Sequence, residues 1–213
     1  MINKKGLLLV VSGPSGTGKG TICKDIVAKH EDINLSISAT TRNPRVGEVE
    51  GKSYFFKTKE EFEAMVDMGE FLEHAMIYDN YYGTPKKAIF DELDMGRDVI
   101  LEIEMQGAMQ IKEVYPQAVF IFVLPPSLQE LRNRIVGRGT ETEEQIEKRF
   151  NSAYDEIKLL GDYDYFIFNN IVEKSAEEIL NILEVEKNKV SRYKKDILDM
   201  FEKEIKNVKT IIK

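Results

Sequence analysis

The first residues whose types and spacing could do chemistry form a glycine-rich segment with the G-x-x-x-x-G-K pattern of phosphate-binding loops. Its members are Gly13, Pro14, Ser15, Gly16, Thr17, Gly18, Lys19, Gly20 and Thr21. Glycines let successive backbone N–H groups converge on phosphate oxygens, and a helix that starts there points the positive end of its dipole at them. We therefore predict a phosphate cradle in which Lys19 adds a positive charge.

The neighbours of this phosphate loop, residues 13–21, support the prediction. A continuous apolar run at 7–11 precedes it, and apolar residues at helical spacing follow it, which gives the strand-to-helix context that the motif requires. This context disfavours the alternative, a glycine-rich turn with an unrelated lysine. The loop departs from the usual pattern at Gly20, because the hydroxyl that normally follows the lysine is displaced to Thr21. Either Thr21 reaches Mg²⁺, directly or through water, or nucleotide oxygens and water hold the ion.

A second group of chemical interest lies between Ser38 and Glu48, where Arg42 and Arg45 flank a proline. Guanidinium groups present their donors in a fixed fork, which suits a dianionic phosphate better than lysines would. We therefore predict a second phosphate clamp in this loop. A P-loop hydrolase or switch protein would not need such a clamp, so the pair of sites disfavours that class of protein.

The elements that must position these residues are those of a parallel α/β fold. Apolar runs at 7–11, 99–103 and 118–124, of which the second contains Glu102, predict buried strands, and a helix is expected over 107–114 between the last two. A phosphate loop after the first strand places the core among P-loop parallel-sheet folds flanked by helices.

Three capping patterns predict helix starts further along the chain. They are Thr84 before Pro85, Ser127 with Glu130, and Ser175 with Glu178. Between the first helix and Thr84 the chain becomes rich in Ser, Thr, Gly and Tyr, which predicts an inserted small α+β subdomain. The sequence GRGTETEE at 137–144 has few apolar residues and predicts a mobile, solvated flap.

The composition indicates one globular unit in a reducing compartment. The 213 residues, 42% of them hydrophobic, can bury one substantial core. The formal net charge of −7 disfavours a nucleic acid polymer as partner, whereas local donors can still bind a small anion. Cys23 is the only cysteine, which excludes an intramolecular disulfide framework and favours the cytoplasm. The apolar runs are too short to span a bilayer and no signal segment opens the chain, so we expect no membrane association.

Further motifs, taken together with the two phosphate sites, resemble those of guanylate kinases. They are Gly51-Lys52-Ser53-Tyr54, Tyr81-Tyr82-Gly83-Thr84, Gln106-Gly107 and GRGTETEE, and the likeness extends from Leu7 to about Asn170. The resemblance implies transfer of the γ-phosphoryl group of ATP to GMP with Mg²⁺ as cofactor. It also implies one domain, 1–213, with a core of 1–36, 86–136 and 153–213, a GMP-binding subdomain at 37–85 and a lid at 137–152.

The same resemblance implies a role for individual residues. The GMP phosphate would be held by Arg42, Arg45, Tyr54 and Tyr82. The guanine base would face Ser38, Glu73, Thr84 and Glu104. The phosphate loop would bind ATP, with Asn169 near the adenine. Guanine presents two donors along one edge, which a carboxylate accepts, whereas adenine presents an acceptor there, so acidic residues would select guanine.

Two positions depart from the family pattern, since Glu102 and Glu104 stand where the family usually has Asp. The charge is kept, and the extra methylene changes the reach of both carboxylates. Glu102 ends a predicted strand and would organise Mg²⁺ together with Thr21, through water. For the two clamp tyrosines, packing in the core is an alternative that is compatible with binding.

The predicted chemistry needs charge neutralisation rather than a strong protein base. The second pKa of a monophosphate is about 6, so its attacking oxygen is largely ionised at pH 7. Lysine, Mg²⁺ and arginines would neutralise the transferring phosphoryl group during in-line displacement. The predicted catalytic residues are Lys19, Arg42, Arg134, Arg138 and Arg149, of which the last three match the arginines of the family's lid and adjoining helix.

Alternatives remain open from the sequence. One is a nucleoside monophosphate kinase that accepts AMP or a pyrimidine nucleotide, and another is a protein-binding module derived from the guanylate kinase fold. The intact phosphate-binding residues disfavour the module. The chain could be a monomer or a homodimer. Residues 191–213 carry an apolar stripe at helical spacing, which we expect to pack on its own domain, with dimerisation as the second choice.

Overall fold

The computed structural model describes residues 5–77, 79–137 and 143–211, and all their side chains except those of 143–146, 148, 149 and 208–211. In chain order the elements are β1 (Leu8–Ser12), α1 (Lys19–Lys29), β2 (Ile33–Leu35), β3 (Ala39–Thr40), β4 (Phe55–Phe56), α2 (Lys59–Asp67), β5 (Phe71–Ile77), β6 (Asn80–Pro85), α3 (Lys86–Asp94), β7 (Asp98–Glu102), α4 (Met105–Val114), β8 (Val119–Leu124), α5 (Leu128–Val136), α6 (Glu143–Ile157), a 3₁₀ turn (Lys158–Asp162), β9 (Tyr165–Phe168), α7 (Val172–Glu186) and α8 (Val190–Ile211).

The main sheet has five strands in the order β2-β7-β1-β8-β9, and all of its neighbours pair in parallel. The three apolar runs of the sequence form β1, β7 and β8, as predicted. Alternate residues of β1 point to opposite faces of the sheet. Leu9 and Val11 pack with α1 and α7, whereas Leu8 and Val10 pack with α3 and α4. This burial on both faces explains why the runs are continuously apolar.

A second sheet of four strands has the order β4-β3-β6-β5. Its strand β6 pairs antiparallel with both β3 and β5, while β3 and β4 are parallel. Helix α2 packs on it through Phe62, whose ring stacks on those of Phe71 and Tyr81. This sheet and helix form between residues 39 and 85, in the part of the chain where the sequence predicts an inserted α+β unit.

Helix α5 begins as the sequence predicts. The hydroxyl of Ser127 accepts a 3.1 Å hydrogen bond from the backbone N–H of Glu130, which satisfies one of the orphan donors of the first turn. Helix α2 begins with a capping box. The Thr58 side chain accepts from the backbone N–H of Glu61, and the Glu61 side chain accepts from the backbone N–H of Thr58.

The other two capping patterns do not cap a helix. Thr84 lies within β6, and α3 begins two residues after it with Pro85 at its N-cap, whereas α7 begins three residues before Ser175. Both hydroxyls bind a side chain earlier in the chain instead. Thr84 donates to the carboxylate of Glu73, and Ser175 donates to the side-chain oxygen of Asn169. These tertiary contacts were stronger determinants than the local capping pattern.

The apolar stripe of α8 packs on the domain only in part. Ile197 is partly buried, but Phe201 and Ile205 are each more than half exposed. The prediction that the stripe packs on its own domain was therefore wrong for this portion of the helix. Within the described residues, no helix combines the length and the apolar character that crossing a membrane requires.

Candidate active site

The phosphate loop joins β1 to α1, and its glycines are required by its geometry. Gly13, Gly16 and Gly18 have φ angles of 136°, 94° and 89°, in a region of backbone conformation that residues with a side chain rarely adopt. Gly13 also lacks room for a side chain, because a Cβ atom there would lie 2.3 Å from the carbonyl oxygen of Val123 on β8. The loop therefore packs directly against the carboxyl end of β8, an inner strand of the main sheet.

Lys19 is the first residue of α1, and its side chain folds over the loop. Its Nζ atom donates to the carbonyl oxygens of Gly13 at 2.5 Å and Pro14 at 3.2 Å. The N-terminal turn of α1 has no capping side chain at Gly18, so its backbone N–H groups and the positive end of the helix dipole can serve an anion. Together these groups can bind the phosphates of a nucleotide.

Asn169, which follows β9, and Arg134 of α5 support the loop through hydrogen bonds. The amide of Asn169 donates to the carbonyl oxygen of Thr17 at 2.6 Å, and Arg134 donates to the carbonyl oxygen of Asn169 at 3.1 Å. Glu130 accepts from the Nε atom of Arg134 at 2.8 Å and so fixes the guanidinium group. Asn169 is only 3% exposed, and this contact with the loop is one that sequence reasoning did not find.

Arg42, in the loop after β3, lies together with Tyr54, just before β4, and Tyr82 of β6. The guanidinium group lies 5.4 Å from the centroid of the Tyr54 ring, and the Tyr54 and Tyr82 rings meet edge to face at 6.1 Å. Glu48 accepts from Arg42 at 2.8 Å, which raises the pKa of Arg42 and holds the pKa of Glu48 below its usual range. Three of the four residues predicted to hold a monophosphate are thus in contact.

Arg45, the fourth, is exposed at the edge of this clamp. Its backbone N–H donates to the second carboxylate oxygen of Glu48 at 2.7 Å, so a single carboxylate fixes both the Arg42 side chain and the loop around Arg45. Sequence reasoning missed Glu48. The signal was its place as the third residue in a three-residue spacing, after Arg42 and Arg45.

Glu73 and Thr84 form a buried polar pair between β5 and β6. Glu73 is 7% exposed and accepts a 2.6 Å hydrogen bond from the Thr84 hydroxyl. Burial raises the pKa of Glu73, and the bond from Thr84 partly offsets the rise. A Cβ atom on Gly107 of α4 would lie 2.5 Å from the second carboxylate oxygen, so the glycine of the Gln106-Gly107 motif makes room for this carboxylate.

The two remaining residues predicted to face the base differ in exposure. Ser38 is partly buried just before β3, and Glu104 is exposed at the N-terminus of α4. Glu156, which sequence reasoning missed, has a raised pKa because of burial, and the nearby Glu104 adds to the rise while Lys19 opposes it. Its Oε2 atom is buried without a hydrogen-bond partner among the described residues. The available signal was its spacing of seven from Arg149 in a helical segment.

Glu102 is the last residue of β7, where it pairs with Val11 at the end of β1. Its carboxylate lies against Gly20 in the first turn of α1. It also adds to the raised pKa of Tyr54, after burial and Tyr82 as larger causes. This carboxylate therefore lies against the phosphate loop and acts electrostatically on the arginine-tyrosine clamp.

The donors near the loop fit a magnesium ion that is held largely by its nucleotide. In the part of the chain that the structure describes, no three His, Cys, Asp or Glu side chains cluster as a metal cage. Glu102 and the exposed Thr21 offer carboxylate and hydroxyl oxygens, the hard ligands that Mg²⁺ takes together with phosphates and water. Of the predicted catalytic arginines, Arg138 and the side chain of Arg149 lie outside the described residues.

The fold and the site define a P-loop phosphotransferase whose second, separate clamp suits a nucleoside monophosphate. The family model for guanylate kinase matches residues 5–186. The chain is 67% identical over 205 residues to the guanylate kinase of Clostridioides difficile strain 630, covering 96% of this chain and 100% of that one. It is 56% identical over 193 residues to the guanylate kinase of Caldanaerobacter subterraneus subsp. tengcongensis, covering 91% and 94% of the two chains.

A solved structure agrees with these sequence comparisons. The crystal structure of guanylate kinase from Anaplasma phagocytophilum superposes with a TM-score of 0.74 at 37% identity, covering 88% of this chain and 89% of that one. The chain belongs to the guanylate kinase family. Members of this family are ATP:GMP phosphotransferases, and family membership gives this chain that activity. The predicted family and the predicted parallel α/β fold are thereby confirmed.

Proposed function

We propose that this chain transfers the γ-phosphoryl group of ATP to GMP with the phosphate loop as donor site and the second sheet as acceptor site. The observation that carries the proposal is the position of Glu102. Its carboxylate lies against Gly20 in the donor site and acts electrostatically on Tyr54 in the acceptor clamp. Two phosphate-binding groups that border one carboxylate support direct transfer between two bound nucleotides.

In the donor site, the phosphate loop from Gly13 to Thr21 binds the ATP phosphates, and Lys19 neutralises their charge. Arg134 and Asn169 support this site through their bonds to the loop and to each other. Glu102, through water, and Thr21 are the proposed ligands for Mg²⁺. The chemistry that a bound Mg²⁺ would supply there is neutralisation of phosphate charge.

In the acceptor site, Arg42, Arg45, Tyr54 and Tyr82 hold the GMP phosphate. The contact between Arg42 and the Tyr54 ring and the bond from Arg42 to Glu48 support this role, because a guanidinium group fixed in advance loses less entropy on binding. The base contacts are Ser38, Glu73, Thr84 and Glu104. The buried Glu73 carboxylate can accept from two guanine donors, which favours GMP over AMP.

Catalysis rests on position and charge rather than on a protein base, because the GMP phosphate is already largely a dianion above its second pKa of about 6. Lys19, Arg42, Arg134, Arg138 and Arg149 neutralise the transferring group. Residues 137–152 act as a lid that excludes water and so suppresses ATP hydrolysis. Residues 37–85 form the GMP-binding subdomain, and 1–36, 86–136 and 153–213 form the core.

The proposed setting of the enzyme is the cytoplasm. Both substrates are small anions, and the single, buried Cys23 suits a reducing compartment. We propose a monomer or homodimer that acts without a nucleic acid polymer or a membrane as partner.

The experiment that tests the function measures ADP formed from Mg-ATP with GMP, AMP, CMP, UMP or no acceptor. Production of ADP that depends on GMP is the expected result. Equal production with AMP or a pyrimidine nucleotide would assign a broader nucleoside monophosphate kinase. ADP formed without an acceptor would indicate a hydrolase, and none under any condition would favour the binding-module alternative.

A further inference from the structure

Gly20 and the side chain of Glu102 compete for one position in space. A Cβ atom on Gly20 would lie 2.9 Å from each carboxylate oxygen of Glu102 and 3.2 Å from its Cδ atom. Real Cβ atoms essentially never approach a heavy atom within 3.0 Å. A side chain at position 20 is therefore incompatible with this placement of the carboxylate.

The register of the main sheet explains how residues 82 positions apart in the sequence meet. Glu102 pairs with Val11 at the end of β1, and the chain then passes through the phosphate loop into α1. The carboxyl end of β7 consequently lies beside the first turn of α1. A Glu side chain at this end reaches over that turn, and an Asp would end one methylene earlier.

Thr21 does not replace the missing hydroxyl at the same place. Successive residues of an α-helix are turned by about 100° around its axis, so the side chains of residues 20 and 21 point in different directions. The direction that a side chain of residue 20 would take is the one that Glu102 occupies. A carboxylate oxygen, which is a hard ligand like a hydroxyl oxygen, thus stands next to Lys19.

Glu102 places a negative charge beside the first turn of α1. The carboxylate of Glu102 lies against Gly20 in this turn, and the Nζ atom of the adjacent Lys19 donates to the carbonyl oxygens of Gly13 and Pro14. Glu102 and Lys19 therefore act on the same turn of the helix with opposite charges. In phosphate loops, this turn of the helix lies next to the bound phosphates and their cation.

We propose that Gly20 and Glu102 form a coupled pair, in which the absence of a side chain at position 20 admits the longer carboxylate, and that carboxylate supplies the oxygen of the missing hydroxyl. The inference rests on the proposed magnesium role of Glu102 and deepens it. The pair is interchangeable as a unit with a hydroxyl at position 20 and a shorter acid at position 102. Either change alone moves the carboxylate oxygen away from this position.

A double-mutant cycle tests the pair, with the affinity of Mn²⁺ for the enzyme–ADP complex, measured by electron paramagnetic resonance, as readout. Gly20→Ser displaces the carboxylate and Glu102→Asp withdraws it, so each variant should bind Mn²⁺ roughly 10-fold more weakly. The double variant should return to within about twofold of wild type. Gly20→Ser with Glu104→Asp, the same shortening two residues away, should bind no better than Gly20→Ser alone.

A further variant, Glu102→Gln, separates the two ways in which the idea can fail. If Glu102→Gln binds Mn²⁺ like wild type, the proposed metal role of Glu102 is refuted and the pair with it. If Glu102→Gln binds weakly but the losses of Gly20→Ser and Glu102→Asp simply multiply in the double variant, the metal role stands and the coupling is refuted. Urea unfolding of each variant confirms that the measured changes belong to the site and not to a lost fold.

Discussion

The Glu73 carboxylate on β5 accepts a 2.6 Å hydrogen bond from the Thr84 hydroxyl on β6, and both side chains are buried. A hydroxyl gives one proton, whereas an ionised carboxylate can accept at four lone-pair sites. Gly107 leaves the second oxygen its room. Burial raises the pKa of Glu73, so the ionised form is poorly stabilised by the protein alone. Two donors from a guanine edge would stabilise it, which links recognition of the base to a local cost in stability.

The first prediction concerns selectivity. Glu73→Gln should lower kcat/KM for GMP by roughly 100-fold, because the amide sets a donor against a guanine donor and leaves a buried group unpaired. The affinity for ATP should change little. Steady-state kinetics with GMP and calorimetry with ATP measure the two effects, and Glu70→Gln, an exposed neighbour, is the control. An equal loss for both nucleotides would remove Glu73 from base recognition.

The second prediction concerns the stability of the same variant. Because the pKa of Glu73 is raised by folding, the folded state binds this proton more tightly than the unfolded chain does. That stabilisation is fully present below the unfolded pKa of 4.5 and is lost as the pH rises through the folded pKa. Glu73→Gln carries no such penalty, so its free energy of unfolding should exceed that of wild type at pH 7.

Urea denaturation at several pH values checks this sign. The stability difference between Glu73→Gln and wild type should be largest near neutrality, shrink as the pH falls through the raised pKa of the folded state, and be lost below the ordinary carboxyl pKa of 4.5. A variant less stable than wild type at pH 7 would mean that the ionised carboxylate is stabilised by its surroundings, and the link between recognition and stability would fail.

The parts of the fold that follow from local pattern were predicted correctly. Apolar runs gave β1, β7 and β8 because a sheet covered on both faces buries its central strands, and of their residues only Glu102 at the end of β7 is exposed. The phosphate loop was recognisable because its glycines meet local requirements of backbone angle. Thr84 and Ser175 were misread as caps, since their hydroxyls bind the side chains of Glu73 on the adjacent strand and of Asn169 just before α7, and the capping pattern does not report such partners.

In the candidate site, too, residues within local motifs were predicted and contacts between separate segments were not. Motifs identified Lys19 and Arg42, because phosphate binding needs those residue types in those contexts. Glu48, Glu156 and the contact of Gly20 with Glu102 were not predicted. Each depends on where a side chain lies once separate segments have packed, and a single sequence contains no direct record of that packing.

The third prediction tests the brace under the phosphate loop. Asn169→Ala removes the bond to the Thr17 carbonyl and leaves the buried Ser175 hydroxyl without its partner amide. The free energy of unfolding should fall by about 1–3 kcal/mol, and KM for ATP should rise more than KM for GMP. Asn170→Ala, an exposed neighbour, is the control. A larger effect on GMP than on ATP would contradict the assignment of Asn169 to the donor site.

The fourth prediction tests whether Glu48 prepares the acceptor clamp. Glu48→Gln removes the charge that fixes Arg42 over the Tyr54 ring and weakens the bond to the Arg45 backbone. We expect KM for GMP to rise roughly 3- to 10-fold, because the guanidinium group must then be ordered during binding. Values of kcat and of KM for ATP should stay near wild type, and steady-state kinetics with each substrate varied provides that internal control. Tighter GMP binding in the variant would show that Glu48 competes with the phosphate.

The fifth prediction concerns Lys19, whose Nζ atom bonds to the carbonyl oxygens of Gly13 and Pro14. Lys19→Ala removes the charge next to the phosphates, so kcat should fall by about 10²–10³-fold or more. It also removes bonds within the loop, and a simple structural defect must be distinguished from lost catalysis. Lys24→Ala, an exposed position on the same helix, controls for the helix.

Cooperative unfolding by circular dichroism should show that Lys19→Ala keeps its fold, since the main sheet and its two hydrophobic faces do not include this side chain. Turnover near wild type in that folded variant would refute the cradle. If kcat falls while GMP still binds with unchanged affinity, Lys19 acts in the donor site alone. That result would also separate the phosphate loop from the arginine clamp, because a collapse of the whole site would weaken both nucleotides together.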